Sequence, residues 1–284
     1  MKCAWQAYIN LLPHWMRASV DEKGKDKLQE LRLRIGQPPQ MRLHSGAENI
    51  LGKVTAQDIA SVINAGSSYS PWTATTISHG YLTAPGGHRI GVCGPTTVIN
   101  ERMTGISNPT SLCIRVARDF KNISDSLERL NGSVLIIGPP CSGKTTLLRD
   151  LIRKKSNMNL GSVAVVDERE EIFPLYKGQA CFDSGDQTDV LSGCSKSVGI
   201  EAVLRSMNPR WIALDEITAE EDCRSLLHAG WCGVEILATA HAGSISDLRT
   251  RPIYRTLLDS ELFSAVVVLQ RDKSWTLERI YDVT

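Results

Sequence analysis

Residues 133–137 read Ser-Val-Leu-Ile-Ile, a short apolar run without alternation, the pattern of a strand buried on both faces. Just beyond, Leu147, Leu148, Leu151 and Ile152 recur with helical spacing. The two signatures alternate through the rest of the chain. They predict strands at 133–137, 162–166, 211–214, 234–239, 264–269 and 275–280, and helices at 144–155, 198–207, 219–229 and 246–258. Apolar strands alternating with amphipathic helices imply an α/β domain with a mainly parallel sheet over residues 121–284. In such a sheet ligands collect at the carboxyl ends of the strands.

Residues 1–120 follow another pattern. Trp5, Tyr8, Leu11, Leu12 and Trp15 lie at near-helical spacing, and residues 20–27 form a charged connector. Leu31, Leu33 and Ile35 alternate with Arg32 and Arg34, a half-buried strand that turns at Gly36–Pro39 toward a partner beginning at Met41. A helix is expected over Thr55–Ala65. Strands are expected at Tyr81–Thr83, at His88–Val92 after the turn Pro85-Gly86-Gly87, and at 112–117. This is a small α+β domain.

With 284 residues the chain has room for both cores. No apolar run approaches the roughly 18–20 residues that cross a bilayer, and the N-terminus lacks a signal peptide's apolar centre, so a cytoplasmic protein with at most peripheral membrane contact is expected. The eight cysteines show no CxxC pair and no Cys/His ligand spacing, which argues against disulfides and a structural metal. Charge is uneven: residues 1–120 carry 13 Lys/Arg against 8 Asp/Glu, net +5, and residues 121–284 carry 19 against 23, net −4. Such asymmetry fits head-to-tail contact between subunits, and equally ordinary surface variation.

Between the first apolar strand and its helix stands Gly138-Pro139-Pro140-Cys141-Ser142-Gly143-Lys144-Thr145, followed by Thr146, which matches the phosphate-binding loop in full. Glycines let backbone amides turn toward phosphate oxygens, and the helix N-terminus adds its positive dipole end. Lys144 is expected on the terminal phosphates and Thr145 on Mg²⁺. Trp211-Ile212-Ala213-Leu214-Asp215-Glu216 is an apolar strand ending in carboxylates: Asp215 to hold Mg²⁺, Glu216 to orient and deprotonate water. Val163–Val166 ends likewise in Asp167, Glu168, Arg169, Glu170 and Glu171. Asp167, Glu168 and Glu171 are candidates to support water or metal, Asp167 as a possible ligand, unless the stretch is a solvated turn. His241, after the strand at 234–239, is placed to sense the γ-phosphate. Arg115 and Arg118 suit a phosphoryl clamp supplied to a neighbouring subunit, or simple pairing with Asp119 or Asp125.

The chain resembles the stage III sporulation protein AA family of endospore-forming bacteria. The likeness rests on Leu31–Pro39, Gly80-Tyr-Leu-Thr with Gly86-Gly-His-Arg-Ile-Gly91, Leu112–Arg118, Ile136–Asp150, Val165–Ile172, Asp189–Lys196, Leu204–Pro209, Leu214–Ile217 and Ala238–His241. That family is similar to the ATPases of type II and type IV secretion and pilus systems. The resemblance implies a RecA-like P-loop core, an N-terminal domain packing on the next subunit, and a hexameric ring that hydrolyses ATP with Mg²⁺. It makes Asp167–Glu171 the acidic box, Asp215-Glu216 the Walker B pair and His241 part of the histidine box, with Arg115 and Arg118 as arginine fingers. It further implies a transport or channel apparatus between mother cell and forespore, docked on a small membrane-anchored partner, with no nucleic acid expected. Cys141 and Asp215 depart from the relatives' usual residues at those places. Two other readings stay open: a nucleic-acid-stimulated RecA-like motor, and a nucleotide-gated scaffold with little turnover.

Overall fold

The computed structural model describes residues 2–68 and 80–279; His79 and the last residue of the strand expected at 275–280 lie outside them. The chain forms two compact units, one reaching Asp119 and including Pro174–Phe182, the other formed by Phe120–Phe173 and the residues from Asp183 onward.

In the first unit the expected N-terminal helix is two, α1 (Trp5–Leu11) and α2 (His14–Gly24). Pro13 caps the second and forces Leu12 into extended backbone, ψ 149°. The strands β1 (Leu28–Arg34), β2 (Gln40–Leu43), β3 (Gly46–Asn49), β4 (Tyr81–Thr83), β5 (Arg89–Cys93) and β8 (Ser111–Arg115) form a six-stranded sheet in the order β3-β2-β1-β8-β5-β4. Every pairing in it is antiparallel. A separate ribbon pairs β6 (Thr96–Ile99) with β7 (Arg102–Ile106). Helix α3 (Ala56–Gly66) begins with a capping box, in which Thr55 N–H donates to Asp58 at 2.8 Å and Asp58 N–H to Thr55 Oγ1 at 3.2 Å.

The alternation of β1 divides the sheet. Leu31 and Leu33 enter a core with Tyr8, Met16, Met41 and Ile114. The other face carries Arg32, Arg34 and Arg42, with Arg89 and Arg115 as register partners on adjacent strands. The short hairpin of β11 (Leu175–Tyr176) and β12 (Gln179–Ala180) joins this unit, although the sequence reading put it with the C-terminal domain. Tyr176 hydrogen-bonds Ser68, and Gly87 makes room for Cys181, whose Cβ would lie 2.9 Å from a Cβ added there.

His88 is fully buried, accepting the Ala117 N–H at Nδ1 (3.0 Å) and facing the Ala4 carbonyl with Nε2 (3.0 Å), the tautomer that donates at Nε2. Burial lowers its pKa to about 4. Because the unfolded imidazole titrates at its ordinary 6.5, the unfolded chain gains the proton first as pH falls. Stability should be intact above pH 6.5 and decline by on the order of 3 kcal/mol toward pH 4. Urea unfolding across that window should show this slope in the wild type and a shallower one in His88→Gln; equal slopes would contradict it.

The second unit is a seven-stranded sheet in the order β13-β10-β14-β15-β9-β16-β17. Its members are β9 (Ser133–Ile137), β10 (Val163–Asp167), β13 (Thr188–Ser192), β14 (Trp211–Leu214), β15 (Glu235–Ala240), β16 (Phe263–Leu269) and β17 (Trp275–Arg279). All pairs are parallel except β16 with β17. Helix α4 (Lys144–Ser156) packs on one face; α5 (Lys196–Ser206), α6 (Glu220–Trp231) and α8 (Pro252–Asp259) enclose the core on the other. The helix expected at 246–258 divides into α7 (Ile245–Thr250) and α8 at Pro252, the first residue of α8. Strand β13 was not expected. It is a half-buried edge strand, Thr-Asp-Val-Leu-Ser, without an apolar run to announce it. This unit is a RecA-like P-loop core, with the first as its smaller α+β companion.

Candidate functional site

Strands β10, β14, β15 and β9 are consecutive neighbours, so their carboxyl ends bring the four chemical segments together. The loop after β9 folds as its motif requires. A Cβ on Gly138 would meet Ser142 Oγ at 2.7 Å and the Leu269 carbonyl at 2.9 Å, so only glycine lets the turn close. Gly143 caps α4 with φ +101°, and Cys141, exposed, takes φ +62°, a left-handed backbone that costs about 1–2 kcal/mol for a residue with a Cβ. Pro140 is exposed, Pro139 and Thr146 half-buried, and Ser142 Oγ is buried with no hydrogen-bond partner among the described residues.

Lys144 is 5% exposed, yet the partners of its Nζ are the carbonyls of Gly138 and Pro139 (3.0 Å each) and His241 Nδ1 (3.1 Å). All are neutral groups. Burial lowers its pKa, with Asp215 and Glu216 acting in the opposite direction. An ammonium so desolvated, inside a loop with an unpaired hydroxyl at the N-terminus of a helix, is suited to an anion.

Thr145 Oγ1 donates to Asp215 Oδ2 at 2.6 Å. A hydroxyl and a carboxylate side by side are the protein's usual share of a Mg²⁺ site, which otherwise uses phosphate oxygens and water. Among the described residues no group of three or more His, Cys, Asp or Glu is arranged to hold a metal. The eight cysteines are free thiols.

Glu216 sits at the turn after β14 with φ +53°. Its Oε1 lies 2.8 Å from His241 Nε2, and its Oε2 accepts from Arg169 at 3.2 Å. With Nδ1 facing an ammonium donor, the ring is the tautomer that donates from Nε2, which links Lys144, His241 and Glu216 in one chain of contacts. A cavity of about 10 Å³, room for about one water, is lined by Glu168, Glu171, Lys196, Asp215 and Glu216.

The acidic segment divides its labour. Asp167 is 2% exposed and accepts the N–H groups of Glu171 (2.8 Å), Ile172 (3.0 Å) and Phe173 (2.8 Å). Desolvation raises its pKa against the pull of those bonds. Both its oxygens are engaged by backbone amides, which anchors the turn after β10. Arg149 secures the same turn, donating to the carbonyls of Ile172 (2.6 Å) and Glu171 (2.9 Å). Glu168 pairs with the buried Lys196 at 2.5 Å.

Arg115 and Arg118 belong to the first unit. Arg118 donates to the carbonyls of Leu28 (2.6 Å) and Lys25 (3.1 Å), securing the start of β1. Arg115 is exposed on the sheet's outer face. Asp125, one of the two pairing partners considered for them, instead meets Lys154 at 2.7 Å.

Sequence reasoning named Lys144, Thr145, Asp215, Glu216 and His241. It passed over Thr239 and Lys196, and named Arg169 only as a member of the acidic stretch. Thr239 looked like an ordinary strand residue, but it stands two positions before His241, on the strand between Lys144's and Asp215's.

The family model described as sporulation stage III, protein AA matches residues 6–284. Stage III sporulation protein AA of Bacillus subtilis (strain 168) is 35% identical over 96% of this chain and 93% of its own length. Protein SEEDLING PLASTID DEVELOPMENT 1 of Arabidopsis thaliana is 27% identical over 89% of this chain but only 36% of that protein. Among solved structures, the pilus retraction motor PilT with bound ADP aligns over 94% of this chain and 82% of its own, with TM-score 0.65 and 15% identity. The Legionella pneumophila ATPase DotB does so over 94% and 80%, with TM-score 0.59 and 16% identity. At such identities the structures establish a shared fold, whereas the sequence match runs almost end to end: the chain belongs to the sporulation stage III protein AA family.

Proposed function

We propose that this chain is a Mg²⁺-dependent ATPase of the secretion type that works as a homo-oligomeric, hexameric ring and energises a transport apparatus in endospore formation. The single observation that carries the reading is the convergence of Lys144, the Thr145–Asp215 pair and the Glu216–His241 pair on neighbouring strand ends. The choice of adenine, the ring, the small membrane-anchored partner and the cytoplasmic face of a membrane come from the resemblance to the secretion ATPases. Among the described residues no helix is long and apolar enough to cross a membrane, so the reading places membrane contact in the partner.

The loop amides of 138–145 and the Lys144 ammonium gather the triphosphate's charge. Thr145 and Asp215 would hold Mg²⁺, whose charge neutralises phosphate oxygens when bound. Glu216 takes a proton from water as the water oxygen bonds to the γ-phosphorus and the bond to the β–γ bridging oxygen breaks, leaving ADP and phosphate. His241, donating to Glu216 and accepting from Lys144, lets the carboxylate respond to phosphate at the lysine. Lys196 holds Glu168 at the rim of the cavity suited to the attacking water.

Arg115, exposed among the arginines of the outer sheet face, is the residue we assign to a neighbour's site, in preference to Arg118, which is engaged by carbonyl oxygens of its own unit. Lys144→Ala and Arg115→Ala subunits, each inactive alone, should recover part of the phosphate release when mixed at ring-forming concentration. No recovery would remove the trans assignment.

A further inference from the structure

We propose that Thr239 is a positioning residue that sets both reacting-site carboxylates at once, an assignment that rests on the ATPase reading above. Thr239 is fully buried on β15, between the strands that end in the phosphate loop and in Asp215-Glu216. Its hydroxyl donates to Asp215 Oδ1 and accepts the Glu216 N–H at 2.8 Å, while its carbonyl accepts the Ile217 N–H at 2.9 Å.

The pattern has no slack. A hydroxyl has one proton, and here it goes to Asp215, so the lone pairs face the Glu216 amide. That amide belongs to a residue held at φ +53°, a conformation side chains adopt only when the surroundings impose it. The other Asp215 oxygen accepts from Thr145 at 2.6 Å, so hydroxyls from opposite sides clamp one carboxylate. A metal would compete for Thr145; Thr239 stays with the protein and keeps Asp215 oriented. The same side chain fixes where the Glu216 backbone leaves β14, and so where its carboxylate meets His241.

Thr239→Val keeps the shape and removes the hydroxyl; Thr239→Ser keeps the hydroxyl and removes the methyl. Thr239→Val should lower kcat by about 100-fold with the KM for ATP within about threefold, and raise the half-saturating Mg²⁺ concentration by about tenfold. Thr239→Ser should stay within about fivefold of wild type on all three. A Thr239→Val enzyme with kcat within about threefold of wild type, or a Thr239→Ser enzyme as impaired as the valine variant, would overturn the assignment and leave the ATPase reading intact. If Thr239→Val does not fold, Thr239→Ala takes its place with the same expectations. If the wild type binds ATP without turning it over, the ATPase reading fails, and the Mg²⁺ dependence of binding decides: its loss in Thr239→Val supports the clamp, its persistence overturns it. A wild type that binds no nucleotide removes both.

Discussion

Glu216→Gln should bind MgATP within about threefold of the wild-type affinity and release phosphate about 10²–10⁴-fold more slowly. The amide is nearly isosteric with the carboxylate, and its one oxygen can still accept from His241 or from Arg169, which Glu216 now meets with separate oxygens at 2.8 and 3.2 Å. It cannot take a proton from water. The variant therefore separates a base from a residue that merely shapes the pocket, and binding with phosphate release in one preparation gives both readouts. Turnover within about threefold of wild type would mean that Glu216 is no base.

The second large effect is at Lys144. Lys144→Met should weaken nucleotide binding by about 10–150-fold, the range of one charge-assisted hydrogen bond of roughly 1.5–3 kcal/mol. The free protein should behave otherwise. Its ammonium is 5% exposed with two carbonyls and an imidazole as partners, so an apolar chain of similar length relieves a desolvated charge. The melting temperature should stay the same or rise, and a fluorescent-nucleotide titration beside a thermal melt reads both. Unchanged affinity would show that the loop lysine does not meet phosphate. A large loss of stability would show that its carbonyl contacts matter more than its burial.

The parts of this molecule legible in its sequence share a physical cause. Runs such as Val134–Ile137 and Trp211–Leu214 are apolar throughout because both faces of the strand are covered, and they end in chemistry because ligands collect at strand ends. What escaped is what tertiary contact decides. Strand β13 is an edge whose half-buried residues carry little pattern. The hairpin at 175–180 joined the other unit because Ser68 and Gly87 receive it, which local sequence does not announce. Proline marked two helix breaks, at Pro13 and Pro252, that helical spacing alone ran through.

The candidate site divides in the same way. Lys144 and Asp215-Glu216 follow from motif and strand, and His241 from its place after a strand. The separate duties of neighbouring carboxylates do not. Asp167 and Glu168 are adjacent in the chain, yet one accepts three backbone amides of the turn that follows and the other pairs with Lys196, 28 residues further along the chain. Thr239 carried no signal beyond its position on a central strand. A hydroxyl on such a strand, two residues before a histidine at its carboxyl end, is the cue that would have found it.

In the proposed function, loop amides, one buried ammonium and a Thr145–Asp215 metal pair gather a triphosphate. Calorimetric titration of the full chain with a slowly hydrolysed ATP analogue, with and without Mg²⁺, tests it most directly. Saturable uptake that tightens with Mg²⁺ and is weakened about 10–150-fold in Lys144→Met is the predicted result; no saturable uptake by the folded wild type would contradict it.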